Sequence, residues 1–366
     1  MIERRQIVAL WQAGRADVLI TLVRVEGSSY RKAGARLLTD GSGGYAGTVS
    51  GGCLETDLVR KAAWMVRNGP IVERYAMTFD DTAEIPFGLG CGGTVDLLLE
   101  PLDTPEAQAL GHAMAASLIG VESTVVSFLP GNGRGLRRLI LAADGSIIFA
   151  SPGLSPEKIA CASRLSPGEP YDGRFVERLA APQRLFVLGA GDDAKSVVRL
   201  ASLLGWSVIV ADGRSQLARQ ERFPEAERVL TASSAGSLGI RPEDAVVLMT
   251  HSYEQDRALL TSTLPFRPRY LGLLGARHRS SLLISEAALE LGRSVESCCA
   301  DVFAPVGMDL GGDGPEAIAL SIVSEIQALC HGRRGPSRRL TSLEVAEHIQ
   351  RGGASRYLQV ECSLGA

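Results

Sequence analysis

The run Arg184-Leu185-Phe186-Val187-Leu188-Gly189-Ala190-Gly191-Asp192-Asp193-Ala194 constrains the fold more than any other part of the chain. A short apolar run reads as a buried strand, two glycines one residue apart turn the chain, and a helix-compatible stretch follows. This is the G-x-G-x-x-G/A pattern in its strand–turn–helix context. Gly189 makes the tight turn, Gly191 lets a pyrophosphate approach the backbone, and Ala194 permits close helix–sheet packing. The helix N-terminus offers unpaired N–H groups and the positive end of its dipole to a phosphate. The next strand ends at Asp212, 21 residues after Gly191, where a carboxylate can accept a hydrogen bond from a ribose hydroxyl. Asp192 and Asp193 are the discordant residues, because they suit the helix dipole but repel a nearby phosphate.

Strands alternate with longer segments through the rest of this half: Leu185–Leu188, Ser207–Ala211, Arg228–Thr231, Ala245–Met249 and Tyr270–Leu274. The segments between them are long enough for helices, and Pro315–Cys330 reads as a closing helix with proline in its first turn. That alternation predicts a Rossmann-like doubly wound parallel sheet over residues 183–331. Ligands of such sheets sit at the C-terminal ends of the strands. His251 follows the fourth strand and Arg277 the fifth, so both are candidates for that edge, Arg277 as a bidentate phosphate ligand or an ordinary solvated arginine.

The first half, residues 1–150, reads as a glycine-rich α/β domain. It holds helices at Glu3–Ala13, Glu55–Arg67 and Pro105–Ile119. Strands are expected at Asp17–Val25, Arg36–Thr39, Tyr45–Val49, Ile71–Thr78, Thr94–Glu100, Ser123–Leu129 and Leu136–Ala142. Residues 151–182, with five prolines, read as a linker. Residues 332–366 read as a basic tail with a further helix.

Cys53 stands in Ser50-Gly51-Gly52-Cys53-Leu54-Glu55 at the start of a helix, and Cys91 in Gly88-Leu89-Gly90-Cys91-Gly92-Gly93. Glycine neighbours leave a thiol uncovered, and a helix N-terminus favours the thiolate, which binds soft metals and carries sulfur. The other reading, a small apolar loop residue, stays open for both. Cys298 and Cys299 read as ordinary residues of a loop, and His112 as a surface residue of a helix.

Composition excludes some classes. With 38 Lys and Arg against 41 Asp and Glu, the formal charge of −3 gives no basic face for nucleic acid. The N-terminal apolar run breaks too early for a secretory signal and no run is long enough to span a membrane, so a cytoplasmic location is expected. Seven scattered cysteines, without a Cys-x-x-Cys pair, do not make a disulfide framework or a structural zinc site.

The stretches GSSYRKAGARLLTDG, AGTVSGGCLE and FGLGCGGTVDLLLEPL resemble the N-terminal domain of the XdhC and CoxI family. RLFVLGAGDDA, VLMTHSYEQD, YLGLLGARHR and APVGMDLGGDGPEAIALSIVSEI resemble its C-terminal Rossmann domain. The resemblance runs from about residue 5 to about residue 330. It implies an accessory protein that binds molybdenum cofactor, as molybdopterin or its dinucleotide. Such a protein protects the cofactor while a cysteine desulfurase adds the terminal sulfur, then delivers it to an apo molybdenum hydroxylase such as xanthine dehydrogenase. On that implication Cys53 and Cys91 contact the metal or its sulfur, and Gly189, Gly191 and Asp212 face a pterin phosphate or dinucleotide. A cofactor of this kind calls for a water-poor cleft between domains. The chain departs from the family pattern at Gly314, which lacks a capping hydroxyl, and at Asp192. From the residues alone the competing reading is an NAD(P)-dependent oxidoreductase, and the oligomeric state is open, a homodimer included.

Overall fold

The computed structural model describes residues 1–52, 54–76, 93–131, 135–167 and 173–333. Cys53, Cys91 and the tail after Arg333 lie outside the described residues.

Helix α1 (Ile2–Gln12) precedes β1 (Val18–Glu26), β2 (Arg36–Thr39), β3 (Tyr45–Gly47), α2 (Glu55–Met65), β4 (Ile71–Ala76) and β5 (Thr94–Pro101). The five strands form an antiparallel sheet in the order β3-β2-β1-β5-β4. The first six residues of β1 are all buried. Successive side chains of a strand point to opposite faces. Accordingly Val18, Ile20 and Leu22 pack with Leu58 and Ala62 of α2, while Leu19 packs with Ile7 and Val8 of α1.

Next come α3 (Pro105–Leu118), β6 (Ser123–Phe128), β7 (Arg137–Ala142), β8 (Ile147–Ala150), α4 (Pro156–Ala162) and β9 (Arg174–Leu179). The strands form a second antiparallel sheet, β8-β7-β6-β9. The stretch 151–182 is therefore more than a linker: it carries α4, capped by the Ser155 hydroxyl, and β9, which pairs with β6 from Ser123↔Leu179 to Phe128↔Arg174. Burial of Phe175, Val176 and Leu179 favours this strand, and the nearby prolines hide it in the sequence. A buried ion pair stands against this sheet. Arg138 and Glu100 are 1% and 0% exposed, and both Nη groups of Arg138 donate to the carboxylate, at 2.9 and 3.0 Å.

The parallel sheet follows: β10 (Arg184–Leu188), α5 (Asp192–Leu203), β11 (Ser207–Asp212), β12 (Arg228–Thr231), β13 (Ala245–Leu248), α6 (Tyr253–Thr263), β14 (Tyr270–Leu273), α7 (Arg277–Leu291), α8 (Val295–Asp301) and α9 (Pro315–Cys330). Strand order is β12-β11-β10-β13-β14, all parallel. Helices α5 and α9 cover one face and α6 and α7 the other. Two details differ from the sequence expectation. The crossovers on either side of β12 hold only single 3-10 turns, Gln220–Arg222 and Ala235–Ser237. Cys298 and Cys299 lie in helix α8, not a loop, because the Ser294 hydroxyl accepts from the Ser297 amide and starts a helical turn. Cys298 is fully buried, which fits an apolar packing role.

The first half meets the parallel sheet at the beginnings of its strands. A Cβ on Gly205, before β11, would lie 2.5 Å from Met1. The strand ends lie at the other edge. Among the described residues, no helix is long and apolar enough to cross a membrane.

Candidate functional site

Strand order reverses between β10 and β13, and the loops leaving these two strands flank that point, the mouth of the sheet and the usual ligand position in a doubly wound fold. Gly189 has φ +130°, and a Cβ there would lie 2.4 Å from the Met249 carbonyl oxygen. Only glycine fits both the conformation and the space. Gly191 is the N-cap of α5 and supplies no side-chain acceptor; within the first turn the Ala194 amide donates to Asp193 Oδ1 at 3.0 Å. A Cβ on Gly191 would meet the Asp193 carboxylate at 2.6 Å and the His251 ring at 3.8 Å, both movable side chains. Ala194 is fully buried against the sheet. All three positions of the pattern thus have the environment it requires.

Asp212 takes a different part from the one expected. It is fully buried. Its carboxylate accepts from the Ala190 amide at 2.8 Å and from the Arg214 amide, Nε and Nη2 at 2.8, 2.9 and 2.8 Å. Burial would raise its pKa, but the hydrogen bonds from Arg214 and Ala190 outweigh it and hold the group ionised. Four donors fill the acceptor capacity of a carboxylate. Asp212 therefore fastens the glycine loop to the end of β11, and no lone pair is left for a ribose hydroxyl. What β11 offers the mouth instead is the partly exposed Arg214 guanidinium, which also donates to the Thr250 carbonyl at 3.2 Å. The sequence reading missed Arg214; its position two residues beyond the acidic strand end was the available signal.

The two discordant aspartates are both engaged. Lys195 and Arg222 flank Asp192 at 2.7 and 3.0 Å, and their hydrogen bonds lower its pKa. Arg222 also donates to the Ala190 carbonyl at 2.8 Å, which ties it to the glycine loop. His251 stands at φ +62°, a left-handed conformation costly for a residue with a Cβ, and its Nε2 lies 2.7 Å from Asp193 Oδ2. Behind it, the buried Asp256 accepts from Thr250 Oγ1 and from Arg279, both at 2.7 Å, joining the ends of β13 and β14. Arg277 is the exposed first residue of α7 and forms no salt bridge among the described residues. Gly189, Gly191, Asp212, His251 and Arg277 thus share one edge of the sheet. Among the described residues, the first half approaches the parallel sheet at Met1, which lies against Gly205 before β11.

In the first half, the described flanks of Cys53 and Cys91 converge on one segment. A Cβ on Gly51 would lie 2.8 Å from the Tyr30 ring, and one on Gly93 would lie 2.1 Å from the Ser28 carbonyl. Glu55, 2% exposed, gathers the loop before α2: its carboxylate accepts from the amides of Val49, Ser50 and Gly52 at 2.9 Å and from the Ser50 hydroxyl. Burial opposes its ionisation, but the bonds from Ser50 and Val49 prevail and lower its pKa to about 2. Among the described residues no group of three or more His, Cys, Asp or Glu is placed to hold a metal ion.

Residues 185–326 match the XdhC Rossmann domain, and residues 10–76 match the XdhC and CoxI family. The chain is 31% identical to a protein of Bacillus subtilis described as a probable subunit of xanthine dehydrogenase, over 87% of this chain and 94% of that protein. It is 26% identical to the molybdenum cofactor insertion chaperone PaoD of Escherichia coli, over 89% of this chain and 87% of the relative. A crystal structure of a xanthine dehydrogenase from Bacillus halodurans superimposes with a TM-score of 0.78 at 29% identity, covering 94% of this chain and 99% of that one.

Proposed function

The chain belongs to the XdhC and CoxI family, and from that premise we propose that it binds molybdenum cofactor and supports its sulfuration and insertion into an apo molybdenum hydroxylase. The observation that carries this reading is the mouth at the switch point. Gly191 brings no side chain to the first turn of α5, and Arg214, Arg222 and Lys195, paired with Asp212 and Asp192, stand around that turn. An anionic pterin phosphate suits such a seat. Gly191, the α5 amides and Arg214 would hold the phosphate. Cys53 and Cys91 would contact molybdenum or its sulfur, and a cysteine desulfurase and the hydroxylase would be the partners, in the cytoplasm. When bound, the cofactor supplies the metal centre on which a client enzyme depends; the chain itself holds, shields and releases it.

The NAD(P)-dependent alternative is weakened by Asp212, whose four donors leave no acceptor for the ribose diol. Mass spectrometry of the small molecule released from protein purified after growth with molybdate tests the reading. A pterin phosphate together with molybdenum is the expected result, reduced in Cys91→Ser and less so in Cys53→Ser. Release of a nicotinamide dinucleotide without molybdenum would overturn it.

A further inference from the structure

A polar cavity lies far from the mouth, where α1 crosses the first sheet near the start of β10. Its volume is about 120 Å³, and its lining brings together Met1, Glu3, Arg4, Gly34 and Arg36 beside the apolar Ile7 and Met114. One water needs on the order of 10–15 Å³ measured this way, so the space admits a tetrahedral oxyanion.

The charges around it do not balance. Arg36 is 6% exposed. Its Nη2 donates to Glu177 and its Nη1 to the Gly34 carbonyl at 3.2 Å, while its buried Nε has no partner. Among the described residues, Arg4 bonds through Nη1 alone, to the Ser117 hydroxyl at 2.9 Å and the Ala180 carbonyl at 2.7 Å. Burial and the neighbouring Arg36 both lower the Arg4 pKa, the mark of two like charges held together in a poorly solvated place. Glu3, the other carboxylate on the cavity, pairs with Arg31. Among the described residues, Glu177 pairs with Arg36 alone, and Arg4 feels that carboxylate only at longer range. A buried cation without a full set of acceptors is costly, and an anion in the space between would supply them.

We propose that this cavity binds a small oxyanion between Arg4 and Arg36. The ligand class is set by the donors: planar guanidinium groups match the oxygen edges of phosphate, sulfate or molybdate. The site is separate from the proposed cofactor seat, since Arg4 bonds to Ala180, just before the strand beginnings, whereas Gly191 follows the strand ends. The bound anion would pin α1 to β2 and to the connection after β9.

Titration calorimetry with sodium phosphate, sulfate and molybdate, at fixed ionic strength against chloride, tests this on the full chain. Saturable binding of one anion per chain is expected for at least one of the three. Arg4→Gln should weaken it at least tenfold, Arg4→Lys less, and Glu177→Gln, which removes the competing carboxylate, should tighten it. No saturable heat from any of the three up to about 10 mM would overturn the site. So would binding that survives Arg4→Gln in full, because it would belong to the mouth or another surface. If Arg4→Gln does not fold, the graded loss in Arg4→Lys and the gain in Glu177→Gln decide the matter.

Discussion

His251 Nε2 lies 2.7 Å from Asp193 Oδ2, so the loop after β13 grips the first turn of α5 across the point where the strand order reverses. Asp193 also lies directly over Gly191, where a phosphate would sit. Its negative charge therefore competes with an anionic ligand. Asp193→Asn should tighten binding of inorganic pyrophosphate by up to about fivefold, the scale of a single charge at a helix terminus. His251→Ala leaves the Asp193 carboxylate without its partner and should weaken pyrophosphate binding. Equal affinities for wild type and both variants in equilibrium dialysis would show that the pair does not face the ligand.

The two glycines of the loop should separate stability from binding. Gly189→Ala forces a Cβ into the Met249 carbonyl at φ +130° and should cost roughly 2–4 kcal/mol in denaturant unfolding. Gly191→Val meets only the movable side chains of Asp193 and His251. It should stay within about 1 kcal/mol of wild type while losing pyrophosphate and cofactor retention. A reversed pattern would mean the loop positions have been assigned the wrong way round.

Glu55 gives a pH signature. Its folded pKa, about 2, lies below the ordinary carboxylate value of 4.5, so the unfolded chain takes up a proton first as pH falls. The stabilisation from this residue is full above pH 4.5 and is lost as pH drops toward 2. The difference amounts to something on the order of 3 kcal/mol for a group this well buried. Unfolding free energies measured from neutral pH downward should show wild type and Glu55→Gln far apart near pH 7 and converging in acid. Parallel curves would exclude the Glu55 carboxylate as the source.

Arg138→Met removes one partner of a fully buried pair and leaves Glu100 uncompensated. A loss of about 3–5 kcal/mol is expected, seen as a lowered melting temperature. The double change Arg138→Met with Glu100→Leu should recover much of it, since two apolar residues leave no buried charge. Failure of the double variant to recover stability would point to the shape of the side chains, not their charge.

The parallel sheet and its mouth were legible because their signals are local. Short apolar runs, Gly189, Gly191 and Ala194 each carry their meaning within a few residues, and the positions of His251 and Arg277 follow from strand ends alone. The second antiparallel sheet was only partly legible. Its strand β9 pairs with a partner some fifty residues earlier, and proline-rich neighbours on both sides suggested a linker. The two 3-10 crossovers around β12 were missed because length permits a helix without requiring one.

By itself the sequence determined the doubly wound sheet, the loop that can face a phosphate and the resemblance to an accessory family, since backbone conformation and strand periodicity are written in contiguous residues. Only the tertiary structure decided what the charged groups do. Asp212 is an acceptor for Ala190 and Arg214, not a free ligand for ribose; Arg36 pairs with Glu177; and Gly51 and Gly93 meet at Tyr30 and Ser28. Each of these depends on which partners folding brings within about 3 Å of a polar atom, and hydrogen bonds and ion pairs weaken too steeply with distance and angle for sequence spacing to fix them.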